Sequence, residues 1–275
     1  MRGLKAILGM VMVGLAFSDV SAEEPTSSTA GESISSHAAA YRLADPIPHL
    51  YTLGVSQTYD RGITEQNTGH KFITTLSSTM PLRLSEELTY FVHPVIPHAW
   101  KNGSEYGNVE GFGAPRIETY FSSAQVSRDE LKMGPLLYLP APGGSAVDTT
   151  QTGIGASAVG IVRPGNWALG VYGYQSFALG GSDAGGTVNF TYAQPFLSYV
   201  TANAWTYTLK LESLTNWQSS GVSNPLYAVA GRTVNILNMP ISFSVSTHYY
   251  LSSSTYDYSS GFGGDVSVSF VLGRE

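Results

Sequence analysis

From about residue 50 to the carboxyl terminus, the sequence is a series of two-residue alternations separated by connections of alternating length. The runs lie near 50–60, 70–80, 86–93, 112–124, 130–140, 151–162, 167–177, 187–199, 204–213, 225–234, 240–251 and 261–272. The long connections are 61–69, 94–111, 141–150, 178–186, 214–224 and 252–260; the short ones are 81–85, 125–129, 163–166, 200–203 and 235–239. An up-and-down antiparallel sheet with long loops at one end and tight turns at the other produces this parity, and outer-membrane barrels are built that way. A soluble Greek-key sandwich, the competing reading, mixes loop lengths without regard to parity. Several runs are long for globular strands but suit a tilted membrane strand, which needs about 9–11 residues.

Three runs show what each face meets. In "WTYTLKLES" (205–213), Trp205, Tyr207, Leu209 and Leu211 share one face, and Thr206, Thr208, Lys210 and Glu212 the other. In "ISFSVSTHYY" (241–250), Ile241, Phe243, Val245 and Tyr249 oppose Ser242, Ser244, Ser246 and His248. In "DVSVSF" (265–270), valines and Phe270 oppose Asp265, Ser267 and Ser269. In a barrel the apolar set faces lipid and the polar set faces the lumen. A Lys or Arg facing lipid at the bilayer midplane costs about 2–4 kcal/mol. Lys71, Glu87, Arg116, Glu118, Lys210, Glu212, Arg232, His248 and Asp265 are therefore expected to line the lumen or sit near an interface, and Tyr172 and Tyr174 to face the lumen. Whether such residues form a solute path or a structural network of ion pairs is open at this level. Trp167 and Trp205 each follow a short turn, which places both at one barrel end as members of an aromatic girdle.

Composition narrows the partners. Charged residues make up only 12% of the chain, about half the usual share of a soluble domain. The net charge of -6 argues against nucleic acid as a partner. With no cysteine, disulfides, thiolate metal sites and Cys nucleophiles are excluded. The amino terminus reads as a signal peptide: a basic "MRGLK", an apolar stretch at 6–17, and the small residues "VSA" at 20–22. Cleavage is expected after Ala22, followed by export to the outer membrane of a Gram-negative-type bacterium. Residues 23–49 lack strand alternation and read as a flexible segment or plug, leaving 50–275 for the barrel.

The order and spacing of "MGPLLYLPAPGG" (133–144), "PGNWALGVYGYQSFA" (164–178), "AQPFLSYV" (193–200), "TNW" (215–217) and the run from Pro225 to Tyr250 resemble the outer-membrane transporter family labelled "meta-pathway of phenol degradation". The chain departs from that pattern at "GFGAP" (111–115), which lacks an acidic residue, and at "VLGRE", which follows Phe270. The resemblance implies an outer-membrane β-barrel passing small hydrophobic or aromatic compounds, and supplies no catalytic residues.

Two constellations carry residue types capable of chemistry. His70, His93 and His98 lie in or beside long connections without the spacing of a metal motif. Ser246 and His248 share a strand face two residues apart, a spacing some outer-membrane lipases use, but hydrolysis also needs an orienting group and an oxyanion site. No enzyme, metal or cofactor is expected. The expectation is an all-β, up-and-down transmembrane barrel of about twelve strands. Its lumen passively admits small solutes, and its main partner is the lipid bilayer. The alternative is a non-transporting surface or structural barrel whose loops bind a partner.

Overall fold

A computed structural model describes residues 34–64, 66–104, 107–180, 188–218, 221–253 and 259–274. The signal peptide read at 1–22 and its cleavage point lie outside the described residues, as do residues 23–33. The order of elements begins with α1 (Ser36–Leu43), β1 (Leu50–Arg61), β2 (His70–Arg83), β3 (Leu88–Ser104), β4 (Gly107–Phe112), β5 (Arg116–Ser123), β6 (Asp129–Tyr138) and β7 (Thr152–Val162). It continues with β8 (Trp167–Gly180), β9 (Phe190–Val200), β10 (Trp205–Leu211), β11 (Ser213–Asn216), β12 (Val222–Ile236), β13 (Met239–Ser253) and β14 (Phe262–Arg274).

All strands join one antiparallel sheet that closes on itself, β1 pairing with β14 as well as β2. β10 and β11 lie end to end between β9 and β12, as one stave interrupted at Glu212. β4 pairs only with β3 and extends it as a hairpin, so the closed wall is a 12-strand barrel. Closure removes the unpaired edges that an open sheet would leave.

The region 94–111, expected to be a loop, is largely strand. β3 continues through Pro94 and Pro97 to Ser104, then returns as β4. Pro97 sits at the step where the neighbour of β3 changes from β5 (Val95↔Arg116) to β4 (His98↔Phe112). A proline lacks the N–H for a continuous ladder, and at such a step none is required.

The pleat sorts the side chains. On the outside, Leu53, Val55, Leu131, Met133, Val171, Leu209, Val245 and Val266 are exposed. Such a continuous apolar belt on a closed barrel marks a transmembrane wall. At the short-turn end Trp167 packs on Tyr199, with ring centroids 4.7 Å apart, and Trp205 lies nearby on β10. At the long-loop end Tyr59, Phe72 and Trp100 cluster on the outer face.

The inside is filled as well as lined. Phe91, Tyr120, Leu136, Tyr138, Val159, Tyr172, Tyr174 and Phe190 form a packed cluster with Ile47. Ile47 belongs to the segment that precedes the barrel. That segment runs within the bore at the short-turn end. Helix α1 starts at Ser35, whose hydroxyl accepts the Ala38 N–H at 3.1 Å. It packs against β9, β10, β12 and β13, and its buried alanines let backbone approach wall. An eight-residue helix is too short to persist by propensity alone; docking holds it.

Candidate functional site

After α1 the segment crosses to the opposite wall. Asp45 makes an Asx turn, its Oδ1 accepting the Ile47 N–H at 2.9 Å. Pro46 and Pro48 stiffen the crossing. Lys132 on β6 donates to Asp45 Oδ2 at 2.5 Å and to the Ile47 carbonyl at 2.6 Å. Arg163, in the turn between β7 and β8, donates to the same Asp45 oxygen and, at 3.1 Å, to Glu130 Oε2. His49 Nε2 meets the other oxygen of Glu130, and its ring stands edge-on to Phe91 with centroids 4.8 Å apart. Lys132, Asp45 and Glu130 have side chains at most 1% exposed. Two carboxylates face one lysine and one arginine, so the formal charges balance within the cluster, as buried ions require.

None of these five latch residues stands among the lumen candidates read from the sequence. A signal was present for two of them. Glu130 and Lys132 sit two apart in "DELKM", opposite Leu131 and Met133, and the period-2 rule sends both inward. Asp45, His49 and Arg163 lie in irregular backbone, where no periodicity applies.

Higher in the lumen, Arg116 and Glu118 on β5 form an ion pair at 2.6 Å. Glu118 is fully buried, and Tyr120 donates to one of its oxygens. Tyr172 donates to both at 2.8 Å. Tyr138 donates to Tyr174 at 3.2 Å, and the Arg116 guanidinium lies 5.5 Å from the Tyr174 ring centroid. Tyr172 and Tyr174 thus fill one side of the bore, their hydroxyls engaged by neighbours. Across the lumen, Lys71 meets Asp60 at 3.5 Å. Asp60 also accepts from Tyr250 at 3.1 Å and faces His248 Nε2 at 2.7 Å. Lys210 pairs with Glu212 at 2.6 Å and lies 4.3 Å from the Tyr227 ring centroid. Among the described residues Arg116 and Lys210 keep contact with the bore, each 26% exposed, as do Glu212 at 22% and Asp265 at 21%.

Two lumen expectations are corrected. Glu87 lies in the turn before β3 rather than in a strand. The Ser85 hydroxyl accepts the N–H groups of Glu87 and Leu88 at 3.2 and 3.1 Å, which holds Glu87 in the turn and exposed. Arg232 points outward. It pairs with Trp205 on one side and Phe243 on the other, and both are exposed on the outer face. Outward placement is tolerable because Arg232 lies level with Trp205 near the short-turn end. There a lipid-facing Arg costs about 0–1 kcal/mol rather than the midplane value.

The histidines do not converge. His98 pairs across from exposed Phe112 and faces outward, whereas His93 pairs with buried Glu118 and faces inward. His70 packs outside against Trp100. Among the described residues no group of three or more metal-ligating side chains comes together. Ser246 and His248 share the lumen face, but Ser246 donates to Asp265 Oδ2 at 2.7 Å, not to the imidazole. Both His248 nitrogens face carboxylates, Nδ1 at 3.1 Å from Asp265 and Nε2 at 2.7 Å from Asp60. No imidazole nitrogen is left to take a serine proton, the first requirement of nucleophilic hydrolysis.

The barrel resembles solved outer-membrane proteins. An outer-membrane channel from Pseudomonas putida F1 superposes with a TM-score of 0.62 at 12% identity, over 82% of this chain and 96% of that one. Outer membrane phospholipase A from Escherichia coli gives 0.49 at 12% identity, over 82% and 98%. The KdgM porin in complex with disordered oligogalacturonate gives 0.44 at 10% identity, over 80% and 98%. No family model and no curated protein matches the sequence.

Proposed function

We propose that the chain is an outer-membrane channel for small solutes, with its periplasmic mouth closed by residues 34–49. The observation that carries this reading is the closed barrel with an apolar outer belt and charged groups still exposed to the bore. The amino-terminal signal pattern supports export, and likeness to the Pseudomonas putida channel supports the barrel fold. The short turns, residues 34–49 and the end of β14 share one end of the barrel, and in barrels of this type that end is periplasmic. The resemblance to the phenol-degradation transporters favours small hydrophobic or aromatic solutes. Solutes diffuse passively, selected by Arg116, Lys210, Glu212 and Asp265.

One observation favours the second reading, a non-transporting barrel: the buried ion cluster fastens the segment across the bore. Planar-bilayer conductance separates the two. The channel reading expects a low conductance for the intact chain and a larger one when residues 23–49 are deleted. A barrel that stays silent after the deletion, while migrating as a folded species, supports the sealed barrel.

A further inference from the structure

The outer face of β12 carries Leu226, Ala228, Ala230 and Arg232 in successive outward positions. Ala230 lies between Tyr207 and Val245, and Ala228 between Leu209 and Thr247. Two small side chains between taller neighbours leave a trough about 770 Å³ in volume, within the range of about 300–1,000 Å³ typical of small-molecule sites. One outward position beyond Ala230, next to but outside the lining of the trough, stands Arg232, exposed, with its guanidinium carbon 5.4 Å from the Trp205 ring centroid. Among the described residues no carboxylate pairs with Arg232, and no acceptor meets the Trp205 indole N–H. An unpaired guanidinium and a free indole N–H thus sit together at an interfacial level, at the head of an apolar trough.

We infer that this is a binding site for one glycerophospholipid of the periplasmic leaflet. Its phosphodiester rests on Arg232 and Trp205, and one acyl chain lies along Ala230 and Ala228. The inference depends on the membrane orientation given above. Charge selects the occupant. A guanidinium presents a planar fork of donors that matches phosphate oxygens, and a cation at this depth seeks an anion at the same level. A second copy of the chain would bring apolar surface to the trough but leave Arg232 without a counter-charge.

The test uses the full-length barrel in detergent, titrated with dioleoyl phosphatidylglycerol or dioleoyl phosphatidylethanolamine and read by native mass spectrometry. One retained lipid per barrel is expected. Arg232→Gln is expected to weaken retention about tenfold or more, as for loss of a charge-assisted hydrogen bond. Ala230→Leu fills the trough and is expected to abolish retention with Arg232 in place. Dioleoylglycerol, which lacks the phosphate, and inorganic phosphate, which lacks the chains, are each expected not to be retained. Equal retention by the parent, Arg232→Gln and Ala230→Leu would mean ordinary surrounding lipid and overturn the inference. So would a lipid-free dimer lost in Ala230→Leu. Heat-modifiable migration confirms that each variant is folded, and loss of that migration in the parent would instead count against the membrane reading.

Discussion

Lys132 Nζ lies 2.5 Å from Asp45 Oδ2, and both side chains are closed to solvent. One residue belongs to the barrel wall and the other to a segment outside the ladder, so the contact fastens two parts that the sheet does not join. Removing one partner of a buried ion pair costs about 3–5 kcal/mol, because the other is left uncompensated. In Lys132→Met the wall is held by its ladders, while Asp45 keeps only Arg163 of its two cations and the segment loses the Ile47 carbonyl contact. The expected result is a released segment in an intact barrel. Trypsin should then cut after Arg42, with the barrel band still heat-modifiable. Continued protection of Arg42 would show that Arg163, the His49–Glu130 contact and α1 packing hold the segment without Lys132.

Glu118 offers a second test. Fully buried, it depends on Arg116, Tyr120 and Tyr172. Tyr172→Phe removes one hydroxyl and keeps the ring, and hydrogen bonds to charged groups contribute about 1.5–3 kcal/mol. A double-mutant cycle with Glu118→Gln, followed by urea unfolding in micelles, should return a coupling of that order. A coupling near zero would mean that the tyrosine acts only by filling space.

Gly263 and Gly264 form a matched pair. A Cβ added at Gly263 would overlap the His248 ring and lie 2.6 Å from the Tyr59 carbonyl, whereas at Gly264 the nearest atom is the Ser246 carbonyl at 3.4 Å. Gly263→Ala is expected to push His248 away from Asp60 and Asp265 and destabilise the barrel by about 2 kcal/mol or more. Gly264→Ala should stay within about 0.5 kcal/mol of the parent. Unfolding midpoints that fall equally for both would assign the effect to the backbone.

The turn between β12 and β13 has φ of 51° at Leu237 and 63° at Asn238. Both central residues are left-handed, as a tight hairpin of this kind requires. Leu237 is 95% exposed and packs on little. Leu237→Gly is therefore expected to stabilise the barrel by about 1 kcal/mol, the order of the left-handed penalty it removes. A lower midpoint for this variant would show that the leucine is held by something outside the turn.

Much of the architecture is legible in the chain because barrel strands obey one local rule. The twelve staves, the parity of the connections and the inward aim of Tyr172 and Tyr174 all follow from two-residue alternation and turn residues. The rule weakens where strands pass Pro94 and Pro97, since the tolerance for those prolines comes from a change of neighbour that only the folded sheet reveals. It leaves Arg232 undecided between lumen and interface. A charge in a strand run suggests the lumen, but the register beside Trp205 and Phe243 decides otherwise. Helix α1 and the turn at Asp45 carry no period long enough to read. Their conformation is imposed by the wall they touch, so the latch of Asp45, His49, Glu130, Lys132 and Arg163 appears only in three dimensions.

The pairing of β1 with β14 gives assembly a chronology. Leu50 lies opposite Arg274 and Tyr59 opposite Gly264, so the first stave meets its partner only after the last has been synthesised. Residues 34–49 directly precede that first stave and are anchored to staves made midway along the chain. If the anchors form before the seam zips, closure wraps the wall around a strap already in position. If the seam zips first, the strap must enter end-on, with two carboxylates and two cations shedding water inside a finished cylinder. On the first route no charged group has to cross a finished cylinder, and the connectivity makes that route the shorter one.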